Sequence, residues 1–544
     1  MTLLRRLRLL LALAAGLALA LAFPPYAFTP LAWISIAALI LVSLGARWWK
    51  AALCGLLHGA GFYAASLTWI YTVMRVHGGL EPLPAAGVLA LMVFTLSLFT
   101  AAFALAVNWL GRASVGRACL AAPFLWVALE FGREYMPYIG FPWNLLGYAA
   151  SSQLGLLQLA SLTGIYGLSF LLASYNALFV WLLVERTRRG FLGWLVATAI
   201  LIPAAVMGQR FLPMVFPRQT AHLVQMNIPQ VESYPADWME RMAPDLDEIE
   251  RMSIDAAKQR PGLIVWPEVP APFYLQDPKF AARATRIARE GDNYFLVGIV
   301  DWKPEANPQS GGTQLVPYNS AALLDPAGQR VFSYDKIHLV AFGEYVPLRK
   351  WLSFAEKMTA EVGDFRAGSN YAVGQLPATG TSGRTSGKFG VVICFEAVFP
   401  NLVRKFVAGG AELLVNISND GWFAHSGALE QHVAMARVRA VENRRWLLRA
   451  TNTGLTTVVD PYGRFTAQLA PDRRDVLTAS YDFRSDLTLY SRWGDWLAWL
   501  SLIASAVFLV VGALHAAPAE KGRGTRSSGD WESRKQHARE IEKS

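Results

Sequence analysis

Eight apolar runs, at about residues 9–23, 31–45, 52–74, 84–110, 118–131, 163–184, 191–208 and 496–514, limit what this chain can fold into. A helix needs ~20 apolar residues to cross ~30 Å of hydrocarbon, and only helices and closed barrels satisfy their own backbone there. The runs are continuous rather than alternating, so the expectation is a bundle of about eight transmembrane helices. Those at 9–23, 31–45 and 118–131 are short for an upright span and call for tilt, a thin crossing or re-entry. With 53% hydrophobic and 17% charged residues among 544, the chain is neither disordered nor composed like an ordinary soluble enzyme.

The net charge of +10 would suggest nucleic acid if it were spread over one face. Instead it falls in alternate gaps: Arg5, Arg6 and Arg8; Arg47 and Lys50; Arg112 and Arg117; Arg186, Arg188 and Arg189; and the tail after 518. The gaps between are poor in base, with Arg133 set beside Glu130 and Glu134. This is the positive-inside pattern. It places the amino terminus in the cytoplasm, residues ~215–490 outside it after seven crossings, and the tail back inside after an eighth. The first run, with Ala18-Leu19-Ala20 near its end, also has the plan of a secretory leader, and the later topology is the same either way. Trp48, Trp49, Trp493, Trp496 and Trp499 suit interfacial belts or packing between helices.

The expected organisation is a transmembrane bundle at 1–214, an α/β domain at 215–490, a final helix at 491–517 and a basic, disordered cytoplasmic tail at 518–544. Within the domain, strands are expected at His222–Ile228, Gly262–Trp266, Tyr294–Val300, Asn319–Leu324, Arg330–Tyr334, Lys388–Cys394, Glu412–Ile417 and from Trp446 to Asp460. Helices are expected at Asp237–Lys258, Pro278–Glu290, Asn401–Val407 and Leu429–Asn443, and a mobile loop at Pro377–Gly387. Cys54, Cys119 and Cys394 are too few and too scattered for a disulfide framework or a cysteine zinc site. The seven-residue spacing of His425 and His432 fits no usual zinc motif, so no metal is expected.

Three reactive side chains stand at strand ends, where α/β sheets build their sites: Glu268, Lys336 and Cys394. A thiol becomes a strong nucleophile when a base takes its proton or a cation steadies the thiolate, and Glu and Lys supply those two functions. Singly each has a plainer reading, a buried apolar cysteine and two solvated charges.

The flanking strings decide between them. Trp266-Pro267-Glu268, Tyr334-Asp335-Lys336-Ile337-His338-Leu339 and Gly390-Val391-Val392-Ile393-Cys394-Phe395-Glu396 resemble, in order, the three motifs of the carbon–nitrogen hydrolase (nitrilase) superfamily. That resemblance implies an αββα sandwich and a Glu-Lys-Cys triad working through a thioester or thioimidate. A domain of this kind after seven membrane segments and before an eighth is similar to the superfamily's membrane branch, which N-acylates lipoproteins. Val224–Gln230, Phe342–Pro347 and Asn416–Phe423 match that branch further.

The resemblance implies Glu268 as general base, Lys336 as oxyanion partner and Cys394 as nucleophile, with Glu344, Glu396, Phe395, Asn319 and Tyr234 in support. Phe395 stands where the family commonly has Tyr, and Tyr234 where its Trp is expected. A salt bridge from Glu344 or Glu396 to Lys336 or Arg349 is compatible with that support. The implied partners are a phospholipid acyl donor and a diacylglyceryl-modified apolipoprotein acceptor. The implied setting is a monomer in the bacterial inner membrane with its catalytic domain in the periplasm, needing no cofactor and no nucleic acid. The alternative is a membrane-tethered amidase or nitrilase using water as acceptor. A transporter would want ionisable groups in mid-membrane, and residues 84–110 and 163–184 contain no Asp, Glu, Lys or Arg.

Overall fold

The computed structural model describes residues 2–516 apart from 137–139, 230–234, 236, 270, 307–310, 342, 346–364, 378–385 and 424. The first seven apolar runs become α1 (Thr2–Leu21), α2 (Ser35–Ser43), α3 (Trp48–Ser66), α4 (Pro82–Gly111), α5 (Val115–Glu134), α6 (Ile165–Glu185) and α7 (Arg188–Met207). Among the described residues five helices are long and apolar enough to cross a bilayer: α4, α5, α6, α7 continued to Phe211, and the later Trp496–Leu514. A sixth arises if α3 and Thr68–His77, bent by 57°, count as one span.

Five or six of the expected eight thus meet that length and composition, roughly the expected bundle, while α1 and α2 fall short of it. Helix α1 carries three arginines within its 20 residues, and α2 with its leading turn reaches only from Thr29 to Ser43. The run at 118–131, expected to be short, gains residues at both ends and becomes a 20-residue helix.

Helices α3 and α4 approach closely because Gly55 and Gly59, one turn apart, face α4. A Cβ at Gly55 would stand 2.4 Å from Thr100 O, and one at Gly59 2.4 Å from Thr100 Oγ1. In a bilayer such small residues let backbones touch and gain van der Waals contact. Gly55→Val should push the helices apart at a cost of ~1–3 kcal/mol. The expected result is a lowered thermal unfolding midpoint of the detergent-solubilised protein; an unchanged midpoint would contradict the close crossing.

Trp48, Trp49, Trp493 and Trp499 are 63, 44, 67 and 55% exposed, which suits a lipid interface, and Trp499 also packs edge-on against Phe131 of α5 at 5.0 Å. Trp496 is partly buried and donates to Leu162 O. Glu130, Arg133 and Glu134, read from the sequence as charges in an external gap, are buried. Arg133 donates to the Tyr63 hydroxyl and, at 2.8 Å, to Trp143 O. Glu130 Oε1 accepts from Trp126 Nε1 at 3.0 Å and from the Leu146 N–H at 2.6 Å. These bonds fix the segment around Trp143, which meets the α/β domain: Trp143 Nε1 donates to Gln431 Oε1 at 2.7 Å.

The domain is two six-stranded sheets. One contains β1 (Gln219–Gln225), β2 (Leu263–Val265), β3 (Phe295–Ala306), β4 (Thr313–Leu324) and β5 (Arg330–Asp335). The other contains β6 (Val373–Pro377), β7 (Ser386–Ile393), β8 (Leu413–Ser418), β9 (Trp446–Thr451), β10 (Thr457–Val459) and β11 (Phe465–Gln468). A last strand, β12 (Asp475–Tyr481), returns to the first sheet, giving the orders β12-β1-β2-β3-β4-β5 and β11-β10-β9-β8-β7-β6. The centres are parallel, β1-β2-β3 and β7-β8-β9, and the flanking pairs antiparallel.

Side-chain alternation along each strand explains the layers. Ala221, Leu223, Leu263, Val265, Leu296, Ala321 and Leu323 face the core shared with Val391, Ile393, Leu413 and Val415 of the second sheet. Their neighbours Val224, Ile264, Phe295, Val297 and Ala322 face outward onto α8 (Ala243–Gln259) and α9 (Pro278–Gly291), through Leu246, Ile249, Phe280 and Ile287. Helices α10 (Pro400–Ala408) and α11 (Ala428–Asn443) lie with the second sheet, and α12 (Trp496–Ala516) ends the described chain. The αββα sandwich is as expected.

Several expected elements differ. The helix from Asp237 breaks after Arg241, because Pro244 has no N–H to continue the ladder and starts α8 afresh. Strands β6, β11 and β12 were not anticipated. Pro377, Ser386 and Gly387, expected in a loop, belong to the β6–β7 pair. The rest of that loop and the tail at 518–544 lie outside the described residues.

Candidate active site

The three residues stand at strand ends: Lys336 directly after β5, Cys394 directly after β7, and Glu268 beyond β2 after Trp266 and Pro267. All are buried, with Glu268 5%, Lys336 1% and Cys394 8% exposed. Lys336 Nζ stands 3.1 Å from Glu268 Oε1 and 2.9 Å from Glu344 Oε1. Asn319 Nδ2 donates to the same two oxygens, at 2.8 and 2.7 Å. Asn319 reaches them because its carbonyl pairs with the Lys336 N–H, which locks the middle of β4 beside the end of β5. The remaining carboxylate oxygens take backbone donors, Asn419 N–H to Glu268 Oε2 at 2.9 Å and Val340 N–H to Glu344 Oε2 at 2.8 Å.

One ammonium thus sits between two carboxylates. Burial alone would lower the Lys336 pKa, but Glu268, Glu344 and Cys394 together raise it well above the ordinary value, so it stays charged. Burial, the largest influence, and Glu268 push the Cys394 thiol up against the pull of Lys336. The resting group is a thiol. Among the described residues a single cation faces two carboxylates and the sulfur, and it cannot balance a thiolate as well in so buried a place, so the proton leaving sulfur must stay in the cluster. It follows that alkylation of Cys394 by iodoacetamide should keep rising with pH through about 9, without levelling near the ordinary thiol pKa of ~8.5. A plateau at or below 8 would mean a resting thiolate.

Cys394 has φ +50°, in the left-handed region, where the chain turns sharply from β7 into the helical turn Cys394–Val398. Glu396 braces that turn. Its carboxylate accepts from Ile393 N–H at 2.8 Å, Tyr334 Oη at 2.7 Å, Ile337 N–H at 2.7 Å and His338 N–H at 3.1 Å, tying the Cys turn to the segment carrying Lys336. Burial pushes its pKa up to about 7 against those donors. Among the described residues Glu396 is therefore held by backbone donors and Tyr334; Arg349, the other cation weighed for it, lies outside them. Glu344 does pair with Lys336. Glu396→Gln would turn an NH₂ toward these donors and leave at least one unmet, costing ~1–3 kcal/mol. The expected result is a lower unfolding midpoint with slower acylation of Cys394, and full activity would remove the brace from the argument.

The ring of Phe395 lies near parallel to Trp143 (6.0 Å, 17°) and Phe141 (6.3 Å, 29°) from the membrane bundle. Tyr234 lies outside the described residues, as do Arg349, Phe342 and Pro347. His425 is exposed against Asp472, whereas His432 is buried against Asp420. Sequence reasoning quoted Asn416–Phe423 without assigning roles, and so missed Asn419, which serves Glu268, and Asp420. It also missed Trp143, for which the only signal was an aromatic in a charge-flanked gap.

The sandwich carrying this cluster defines the class: residues 220–486 match the carbon–nitrogen hydrolase family model, and residues 15–178 match the apolipoprotein N-acyltransferase N-terminal domain. The chain is 36% identical to an apolipoprotein N-acyltransferase of Geobacter metallireducens over 92% of its own length and 94% of the relative's. It is 34% identical to the one of Methylococcus capsulatus, over 90 and 93%. Among solved structures it is similar to an amidase from Nesterenkonia sp., at 21% identity and a TM-score of 0.36, covering 52% of this chain and 95% of that one. The chain belongs to the apolipoprotein N-acyltransferase family, and is an enzyme of the acyltransferase class.

Proposed function

We propose that the enzyme moves an acyl chain from a membrane phospholipid to the α-amine of the N-terminal diacylglyceryl-cysteine of apolipoproteins, through a thioester on Cys394. The observation that carries this reading is the seam itself: the residue after the thiol, Phe395, packs on Phe141 and Trp143 of the membrane bundle. A nucleophile placed there meets a lipid ester from the bilayer side, in surroundings that favour acyl transfer over hydrolysis.

Glu268 takes the Sγ proton as sulfur attacks the ester carbonyl carbon. Lys336 and backbone N–H groups hold the oxyanion. The carbon–oxygen bond to glycerol breaks, the leaving alkoxide takes the proton, and lysophospholipid departs. The lipoprotein amine then attacks the thioester carbon and gives its proton to Glu268. The carbon–sulfur bond breaks and the thiolate is reprotonated.

Two experiments test this reading. Incubating the enzyme with phospholipid alone should add one acyl mass to Cys394 and release lysophospholipid; a diacylglyceryl-cysteine peptide should then collect the acyl group as an amide. Release of free fatty acid instead would identify a hydrolase using water.

The same reading assigns residues 1–214 and 491–517 to the inner membrane, 215–490 to the periplasm and 518–544 to the cytoplasm, as a monomer. Leu315 is 64% exposed on the domain, and Cys54, Cys119 and Cys394 are all buried. Leu315→Cys should therefore be labelled by a membrane-impermeant maleimide added to intact spheroplasts. Labelling only after lysis would invert the topology.

A further inference from the structure

His432, weighed above only as a metal ligand, stands behind the nucleophile. It is fully buried on α11 between Trp143 and Phe423, at ring-centroid distances of 5.8 and 5.7 Å. Its Nε2 lies 3.1 Å from Cys394 O. A carbonyl only accepts, so Nε2 carries a proton. On the other side Nδ1 is 3.1 Å from Arg449 Nη2, which only donates, and 3.2 Å from Asp420 Oδ1. Arg449 also grips Asp420, at 2.9 and 2.7 Å, and Ser418 Oγ donates to Asp420 at 2.7 Å. Nδ1 thus faces a donor, Arg449, and an acceptor, Asp420, and these contacts together lock the ring with its Nε2–H on Cys394 O.

The peptide joining Cys394 to Phe395 is planar and trans, so its C=O and N–H point in opposite directions. Fixing the carbonyl on His432 therefore aims the Phe395 N–H away from the buried histidine. Phe395 is the second residue of its helical turn, where an N–H precedes the first bond within the turn. The left-handed backbone at Cys394 is intrinsically unfavourable by ~1–2 kcal/mol, so the peptide needs such holding.

We propose that His432 is a positioning residue for thioester formation: by holding the Cys394 carbonyl it turns the Phe395 N–H onto the acyl oxygen that becomes the oxyanion. This rests on the thioester reading above. His432 touches neither substrate nor sulfur, and acts through one peptide plane.

The test separates acylation from the chemistry of the thiol alone. Full-length protein in phospholipid–detergent micelles is followed by intact mass spectrometry for acyl-Cys394, and in parallel for alkylation by iodoacetamide, which forms no oxyanion. Misaiming one oxyanion donor costs up to ~10²–10³ in rate. His432→Ala should slow acylation by about that factor while alkylation changes less than about threefold. His432→Gln, whose amide N–H can reach the same carbonyl, should restore most of the acylation rate. Acylation at the wild-type rate in His432→Ala overturns the proposal. So does an equal fall of acylation and alkylation, which would mark a structural role, and so does a Gln variant as slow as Ala. Failure of the wild type to acquire an acyl group would instead sink the thioester reading, leaving the two failures distinct.

Discussion

Purified Cys394→Ala protein is expected to release no lysophospholipid and make no N-acylated peptide, while unfolding at nearly the wild-type temperature. The loss is large because sulfur is the atom to which the acyl group is bonded in the proposed path. The fold should survive because the geometry of the turn does not depend on the thiol. Glu396 holds Ile393 N–H and His432 faces Cys394 O, so the turn is held on either side of Cys394 through backbone atoms that alanine retains. The removed atom is one small buried group, worth ~1–2 kcal/mol at most. Cys394→Ser should be nearly as inactive. An alcohol is far less acidic than a thiol, and this site already disfavours the anion through burial and the Glu268 charge. Product from Cys394→Ala at the wild-type rate would show that another group carries the acyl chain.

How much of this was legible in the sequence depends on the range of the interactions. Glu268, Lys336 and Cys394 could be singled out because each follows a short apolar run, and the strand ends lie where the runs end. Helices α4, α6 and α7 declared themselves by composition alone. By contrast β12 pairs with β1 across some 260 residues, Gln219 against Tyr481, and no local pattern encodes that partner. Strand β6 contains Gly374 and Pro377, and β11 is largely exposed, so both edge strands lack the alternating apolar signal. Helices α1 and α2 are a different case. Apolar character was visible in α1 and α2, but the arginines of one and the brevity of the other decide whether such a helix suits a full crossing. In the site, the supports escaped notice because they converge from separate elements. Asn419, His432 and Arg449 follow β8, lie on α11 and lie on β9, and Trp143 is bonded to Gln431 288 residues away. The flanking motif singles out Glu396, but its four donors, from two segments, meet it only in the folded chain.

The second large effect concerns which carboxylate is the base. Glu268 and Glu344 are near equivalents in the structure: each places one oxygen on Lys336 and Asn319 and the other on a backbone N–H. What differs is the backbone partner. Glu344 is bonded to Val340 N–H, four residues away on its own loop, whereas Glu268 takes Asn419 N–H just after β8, the strand paired with the one that ends at Cys394. Glu268 is thus tied to the nucleophile's sheet and Glu344 to the lysine's loop, which favours Glu268 for receiving the sulfur proton. Glu268→Gln should then block formation of the Cys394 thioester by ~10²–10⁴, the usual worth of general-base assistance. Lys336→Met should slow the same step by at least ~10²–10³ through loss of the oxyanion's charged partner. It also leaves two buried carboxylates unbalanced, so its unfolding midpoint should fall, whereas that of Glu268→Gln should fall less. Both variants should remain unacylated on phospholipid. Wild type without acceptor should instead accumulate the thioester, because only the second half-reaction needs the amine. A stoichiometric thioester forming at the wild-type rate in Glu268→Gln would move the base to Glu344, and Glu344→Gln would then be the variant that stays unacylated.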